Sequence, residues 1–330
     1  MPILAGSFLT PGVKSSFYQA WEDGYKGVQN VLGSIMWLDA PSDGLYEIYA
    51  IWNTTPYPVR WDRGTIISND AMGSIQFTVY NRNWGSRIYW HEDDERDDRT
   101  GTLLSRARAL GEHWATLDER VFFQFIQAGT DADLLPAVPN SADGVALYSA
   151  STRFGSSNGN QVAESGTSTV QQIITDTVAV VRRFNEFQNT ESQPFWNMSE
   201  TMDLTVFYDP EVLLVHQQAY TAMGVFGYQA GTSTTDTSTA AGIDNVLQTA
   251  GFKIRPVVNQ RITDTGRYFF INNLPNWKRP LFKQLREGQS MAEANWATSD
   301  HVRDTGEKYI QFKSRFAFGS PIPIGTIRLT

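Results

Sequence analysis

The sequence predicts an α+β fold in which helices and strands occupy separate stretches instead of alternating as regular βαβ units. Three observations carry this reading. Residues 100–129 repeat apolar side chains at helical spacing over about seven turns. Residues 45–90 alternate apolar and polar side chains with the period of two that marks a half-buried strand. Residues 252–329 hold several short extended runs with little helical patterning between them.

Taken in order, residues 1–40 read as an arm with a helical segment. Phe17, Trp21, Tyr25, Val28, Leu32 and Ile35 recur at helical spacing, and Gly24, Gly27 and Gly33 weaken that helix enough that it must dock on something. The run 40–44, APSDG, breaks the chain. In the stretch after it, Tyr46, Ile48, Ala50 and Trp52 alternate with Glu47, Tyr49 and Ile51. Further on, Ile75, Phe77 and Val79 face one way while Gln76, Thr78 and Tyr80 face the other, and residues 87–90 close the unit. This is two-stranded material, and an isolated ribbon is marginal in water. Its load of tyrosine and tryptophan makes sense if it lies on another subunit.

Residues 91–99, HEDDERDDR, carry six acids and two arginines, a net −4 with His91 neutral. The spacing does not match a calcium loop, so the run reads as a solvated hinge or an intersubunit salt-bridge patch. Behind it, Leu103, Leu110 and Leu117 recur at sevens beside Ala107, Trp114, Val121 and Ala128. Arg106, Arg108, Glu112, Asp118 and Arg120 lie mostly off that stripe. Asp97, Asp98 and Thr100 suit the positive end of the helix, and Gly129 suits its stop. Residues 130–167 read as loops around a short strand at 145–149. A second amphipathic helix is predicted over 169–188, a buried strand over 203–207, and a helix from Asp209-Pro210 to about 223 with Asp209 as cap. Residues 227–242 form a polar low-complexity loop. A short helix is predicted over 243–250, then extended runs over 252–258, 267–271, 279–284, 308–318 and 324–329.

Bulk properties narrow the function. At 330 residues with 41% hydrophobic and 13% aromatic content the chain is folded, and its ten tryptophans suit either a large core or an interface. No cysteine is present, which excludes disulfides, thiolate zinc sites and thiol nucleophiles. A net charge of −8 argues against a protein whose main work is gripping phosphate backbones, although an acidic wall around nucleic acid is compatible with it. The opening residues lack the pattern of a signal peptide, and no window of about eighteen apolar residues exists to span a membrane. The triplets at Asn53 and Asn197 read as chance matches to a glycosylation signal.

Catalytic signals are weak. Residues 155–159, GSSNG, formally fit the Gly-x-Ser-x-Gly elbow of serine hydrolases, but that elbow needs a helix directly after the serine, and the following residues are poor helix formers. His91, His113, His216 and His301 are scattered and read as structural. There is no phosphate-binding loop and no dinucleotide fingerprint. No metal ligand set, cofactor site or catalytic group emerges, and the chain reads as a non-enzyme.

An ordered set of segments resembles the Mu-like phage major head proteins. Residues 46–61, YEIYAIWNTTPYPVRW, are similar to that family's "Y…P…W" run at the start of an extended loop. Residues 93–101 resemble its acidic turn before the long helix, and residues 142–149, ADGVALYS, its "DG…FS" strand. LTVFYDPEVLL at 204–214, KRPLFKQ at 278–284 and KSRFAFG at 313–319 follow in the family's order. One departure is Thr152-Arg153-Phe154, where the family often has a histidine. The resemblance implies the tailed-phage major capsid fold, of the type first seen in phage Hong Kong 97. Residues 1–40 would be an N-terminal arm and 41–97 an extended β-ribbon loop. Residues 98–164 and 278–330 would form a peripheral domain with a spine helix over 100–129, and 165–277 an axial domain.

By the same resemblance the chain would build pentamers and hexamers of an icosahedral bacteriophage shell, without cofactors. Its partners would be itself, scaffold, portal and decoration proteins, with packaged double-stranded DNA touched only non-specifically and no membrane. It would sit in the virion capsid after assembly in the host cytoplasm. Trp52, Trp61 and Trp84 are the expected loop anchors, and Asp93, Asp94 and Arg96 the expected charged contacts between subunits. The competing readings are an encapsulin-like shell, another phage shell or tail protein, and a serine hydrolase built on residues 155–159.

Overall fold

In chain order the elements begin with helix α1 (Pro11–Gly27) and strands β1 (Leu38–Pro41), β2 (Tyr46–Trp52), β3 (Ser74–Tyr80) and β4 (Arg82–His91). Helices α2 (Thr102–Ala115) and α3 (Leu117–Ala128) come next, then β5 (Gln161–Val162), α4 (Val170–Glu186) and β6 (Asp203–Tyr208). A 3-10 turn (Pro210–Val212) runs into α5 (Leu213–Thr221), and two short strands follow, β7 (Gly224–Phe226) and β8 (Gly242–Asp244). The chain closes with β9 (Lys253–Val258), β10 (Arg267–Ile271), β11 (Phe282–Glu293), α6 (Asp300–Thr305), β12 (Glu307–Gly319), a second 3-10 turn (Pro323–Gly325) and β13 (Thr326–Leu329). This computed structural model describes residues 11–28, 32, 36–52, 74–91, 101–128, 141–153, 158–166, 169–188, 194–196, 202–221, 224–226, 242–244, 253–272, 274, 278–293 and 299–330.

Two compact units divide the chain: one takes Met1–Glu47, Val79–Phe122 and Lys283–Phe318, the other Ile48–Thr78, Phe123–Phe282 and Gly319–Thr330. The first is built on a four-stranded sheet in the order β1-β11-β12-β4. β12 and β4 run antiparallel from Glu307 opposite His91 to Phe316 opposite Arg82. The period of two then sorts β12: Ile310, Phe312, Ser314, Phe316 and Phe318 are buried on one face. Helices α1 and α2 cover that face. Trp21 stacks on Phe312 with ring centres 5.0 Å apart, and Trp114 lies 6.3 Å from the same ring while donating its indole N–H to Ser86 Oγ at 2.6 Å. Trp37 packs against Phe122 and Phe318. Burying each such ring stabilises the unit by about 1.5–3 kcal/mol. Lys283 reaches Asp118 at 2.5 Å and lies over the Phe316 ring, so the one cation among these aromatics is both paired and stacked.

Helices α1 and α2 meet through glycine. A Cβ on Gly24 would stand 2.1 Å from the Arg108 carbonyl oxygen, and one on Gly111 2.1 Å from the Trp21 carbonyl oxygen. The backbones touch where side chains would otherwise hold them apart. The glycines that weaken α1 as an isolated helix are therefore what lets it dock.

The second unit has a five-stranded sheet in the order β5-β13-β10-β6-β9. All residues of β10 are buried, and it pairs antiparallel with β13 on one side and β6 on the other. A strand covered on both faces reads as a continuous apolar run, as RYFFI does after its first residue. The exception, Arg267, is buried and paired to Asp176 of α4 and, at 3.3 Å, to Glu164. That pair ties α4 to the sheet. The helix starts at Thr169, whose hydroxyl accepts from the Gln172 amide while the Gln172 side chain reaches back, a reciprocal capping box. Its buried face is Ile173, Ile174, Val180, Val181 and Phe184.

Several sequence expectations change. The first helix is Pro11–Gly27, with proline as its first residue, and of the further stretch where helical spacing was expected, 29–31 and 33–35 lie outside the described residues. The helix predicted over 100–129 is present as α2 and α3, parted by one turn residue, Thr116, across which the backbone bonds continue: its N–H donates to the Glu112 carbonyl and its carbonyl accepts from the Arg120 N–H. Asp97, Asp98 and Thr100, expected at its start, lie outside the described residues. The N-cap is Gly101, at φ +67, a left-handed conformation that glycine adopts at no steric cost. Residues 145–149 are turns, not a strand, because the Asp143 carboxylate accepts from the Val145 amide, from Ser141 and from the buried Arg153. Residues 242–244 form a strand against β7 where a helix over 243–250 was expected, the rest of which lies outside the described residues. The strand expected over 279–284 begins at Phe282 and extends to Glu293, and the last run opens with a 3-10 turn at Pro323. Residues 87–90 do not close a ribbon with the strands before them. They belong to β4 and pair with β12.

Gly24→Ala and Gly111→Ala are each expected to lower stability by about 1–3 kcal/mol through forced separation of the two helices. Because both open one crossing, the double variant should cost clearly less than the sum. Urea unfolding of the three variants measures this.

Candidate self-assembly surface

Among the described residues, strands β2 and β3 pair only with each other, forming a two-stranded sheet. Their alternation follows from composition. In β3, Phe77 and Val79 are buried while Gln76 and Tyr80 are exposed. In β2 the faces are reversed in character: the outward residues are Tyr46, Ile48 and Ala50. Ile48 is 59% exposed, Tyr46 47% and the preceding Leu45 57%. Tyr46 and Tyr80 sit ring to ring at 5.4 Å on this outer side. On the inner side Tyr49 packs on Phe77 and, at 4.6 Å, on Phe282. The ribbon thus buries one apolar row and leaves another open to solvent. A contiguous exposed apolar row is a marker of a contact surface.

The root of the ribbon is tied by a polar clamp. The Glu47 carboxylate accepts from Ser42 Oγ at 2.9 Å, from the Asp43 amide at 2.9 Å and from the Gly44 amide at 3.0 Å. Asn81, just after β3, donates its side-chain amide to Ser42 Oγ at 2.7 Å and to the Gly44 carbonyl at 2.8 Å, and its backbone N–H to the Leu45 carbonyl. The Ser42 amide donates to Leu285, and the Gln284 side chain to the Val79 carbonyl, which anchors both stems to β11. The Gly44 amide, with Ser42 Oγ, the Asp43 amide and the Arg286 charge behind it, holds the Glu47 carboxyl below the usual carboxylate range.

The residues expected to make contacts fall as follows. Trp84 lies in β4, stacks on Phe316 at 5.4 Å and donates to the Phe316 carbonyl at 3.2 Å, so it is anchored within its own unit. Trp52 ends β2, with its side chain outside the described residues. Trp61, Asp93, Asp94 and Arg96 lie outside the described residues. The structure adds the outer row of β2 (Tyr46 and Ile48, with Leu45 before it), Tyr89 of β4 at 67% exposure and Leu214 of α5 at 69%. The first row was open to sequence reasoning, since β2 is apolar on both faces and one subunit covers only one.

Nothing in the described residues assembles a hydrolase. After the 155–159 segment the chain enters β5, not the helix an elbow requires, and Asn160 is buried with its amide on the Leu147, Pro323 and Thr326 carbonyls. His216 is buried and stacked on Tyr208 at 4.4 Å. Burial, with Tyr220 nearby, pushes the Tyr208 hydroxyl up to about 12, and burial raises Tyr148, Tyr220 and Tyr268 as well. These groups stay neutral and serve packing.

The described residues thus comprise two mixed units, each a sheet with helices on it, and a two-stranded ribbon with one apolar row exposed. A family profile described as "Phage capsid protein" matches residues 82–322. The virus-like particle from Pyrococcus furiosus is similar over 96% of this chain and 98% of its own, at 10% identity and a TM-score of 0.51. The mature capsid of bacteriophage PhiM1 is similar over 92% and 87%, at 11% identity and 0.55, and Mycobacterium phage Patience over 97% and 87%, at 12% and 0.52. No curated protein matches. The chain belongs to the phage capsid protein family. It has the Hong Kong 97-type fold and is a major capsid protein, a structural component of the virion shell.

Because the folded pKa of Glu47 lies below its unfolded value, the clamp contributes stability that is fully present above the usual carboxylate range and lost as pH falls through the depressed value. Hydrogen exchange at the Asp43 and Gly44 amides, corrected for intrinsic rates, should therefore stay slow from neutral pH to about 5 and accelerate only in stronger acid. In Glu47→Gln that acid step should vanish.

Proposed function

We propose that this chain forms the pentamers and hexamers of an icosahedral shell by laying its β2–β3 ribbon on a neighbouring copy. The observation that carries this is the open apolar row of Leu45, Tyr46 and Ile48 on a two-stranded sheet with a tied root. A two-stranded ribbon is marginal alone. Covering its outer row with a second copy removes apolar area from water that one chain leaves exposed. Identical subunits in head-to-tail contact close into rings, which is the geometry such an overlap needs.

In this reading the N-terminal arm is 1–40, the extended loop 41–97, the peripheral domain 98–164 with 278–330, and the axial domain 165–277. The shell encloses double-stranded DNA held non-specifically, as suits an acidic chain. Scaffold, portal and decoration proteins are its further partners, and assembly takes place in the host cytoplasm. The resemblance to Mu-like head proteins supports a shell of that subtype. The protein acts by assembly and catalyses no reaction. An encapsulin-like compartment is the second reading, favoured by the likeness to the Pyrococcus furiosus particle over nearly its whole length. Nucleic acid inside purified particles decides between them.

Ile48→Asp is expected to raise the protein concentration needed for assembly by about tenfold or more, since it places a charge in the apolar contact. The exposed position should leave the thermal melt of the soluble subunit unchanged. Negative-stain electron microscopy with sedimentation measures the first and circular dichroism the second. Normal particles from Ile48→Asp would count against the ribbon as the contact.

A further inference from the structure

The first unit holds a cleft of about 240 Å³ between the second half of α1 and the later part of β11. Trp21, Tyr25, Met291 and Phe312 line it together with Gln289 and Ser290. Three of the rings form a ladder. Phe312 stacks on Trp21 with centres 5.0 Å apart and planes 17° from parallel, and Trp21 stacks on Tyr25 at 5.4 Å and 12°. Trp21 and Phe312 are buried, Tyr25, Met291 and Gln289 half-buried and Ser290 exposed, so the cleft passes from an aromatic end to a polar mouth. It is smaller than the roughly 300–1,000 Å³ of small-molecule sites, and its size suits a side chain.

We propose that this cleft receives Tyr46 from the ribbon of a second copy of the chain. The inference rests on the shell reading above and names the surface on which the ribbon lands. Chemistry is the first argument. An aromatic end with a polar mouth fits tyrosine, whose ring is apolar and whose hydroxyl needs a partner. Tyr46 is 47% exposed and belongs to the open row of the ribbon. In protein interfaces a few aromatic anchors seated in pockets carry much of the binding energy. Charge is the second argument. Asp43, beside that row, is exposed and has no cation partner among the described residues, and Lys26, which also lines the cleft, is an exposed cation. Reach is the third, and it separates a neighbour's Tyr46 from the chain's own. The Ser42 amide donates to the Leu285 carbonyl and the Gln284 side chain to the Val79 carbonyl, so the root of the ribbon stands level with the start of β11. Tyr46 is held there against Tyr80, the residue after Val79. Gln289 lies five residues beyond Gln284, which along a strand is roughly 17 Å. A tyrosine side chain does not span that distance, so the chain's own Tyr46 stays out of the cleft.

Tyr89 is the less favoured occupant, although it is 67% exposed. It stands opposite Tyr309 on a pair of strands within the four-stranded sheet, and a broad sheet face does not enter a recess one side chain wide. The two-stranded ribbon is narrow enough to do so.

The test combines photocrosslinking with a pair of substitutions in the full-length chain. Tyr46→p-benzoylphenylalanine keeps an aromatic ring at position 46 and makes it photoreactive. In particles mixed from isotopically labelled and unlabelled chains, illumination and mass spectrometry should join position 46 of one copy to residues 21–26 or 289–291 of another. Links from position 46 to a different surface of a second copy overturn the cleft and leave the ribbon reading standing. Links confined to its own chain overturn the ribbon reading as well. Tyr46→Ala and Ser290→Trp, which fills the mouth, should each raise the protein concentration needed for assembly about tenfold, read by sedimentation and electron microscopy. Combined, they should cost no more than the larger single effect, because both remove one contact. Effects that multiply to about a hundredfold overturn the proposal, as does unchanged assembly by either variant alone. Both positions are exposed, so circular dichroism melts of the separate subunits should match the unaltered chain. Should the unaltered chain form no particles, it is the shell reading that fails.

Discussion

A two-stranded ribbon carries apolar residues on both faces, and among the described residues only the inner face is covered. That constraint organises the molecule. The inner row, Tyr49 and Phe77, finds Phe282, while in the outer row Tyr46 and Ile48 are exposed, with Tyr80 beside Tyr46. Such a row would be an aggregation hazard on a loosely hung hairpin. Here the stems are held by directional bonds. Glu47 gathers three donors, and Asn81 bridges Ser42 and Gly44. The sticky surface is thus presented at a defined root, which is what distinguishes ordered assembly from precipitation.

Each unit is held together without disulfides. In the first unit the stiffness comes from rings: Trp21, Trp114 and Phe312 on one side, Trp37, Phe122 and Phe318 on the other. The glycine contact between α1 and α2 brings the backbones close enough for those rings to meet the sheet. In the second unit a buried ion pair does comparable work. Arg267 on the central strand and Asp176 on α4 are each costly to bury alone and are tolerable only together, so they fix helix to sheet in one arrangement. Different chemistry secures the two units.

Much of this was legible in the sequence wherever the cause is local. The period of two in β3 fixed its faces, the Thr169–Gln172 spacing marked the start of α4, and Asp209-Pro210 marked the turn into α5. What escaped depends on partners distant in sequence. β4 reads as the end of a hairpin because its partner, β12, lies more than two hundred residues later. The stack of Trp84 on Phe316 was hidden for the same reason. The turn at 142–151 was hidden by Arg153, which draws on Asp143 and the Ala146 carbonyl and so competes with strand formation. At the candidate surface, the doubly apolar β2 was readable, and the clamp at its root was not, because Asn81 joins residues nearly forty positions away.

The most direct measurement is hydrogen exchange of the β2 and β3 amides, residues 46–52 and 74–80, in the isolated subunit and in assembled particles. The account predicts rapid exchange there in the subunit while β10 and α4 stay protected, and strong protection of the ribbon once particles form. Equal protection of the ribbon in both states would show that it is already complete within one chain, and would contradict the account.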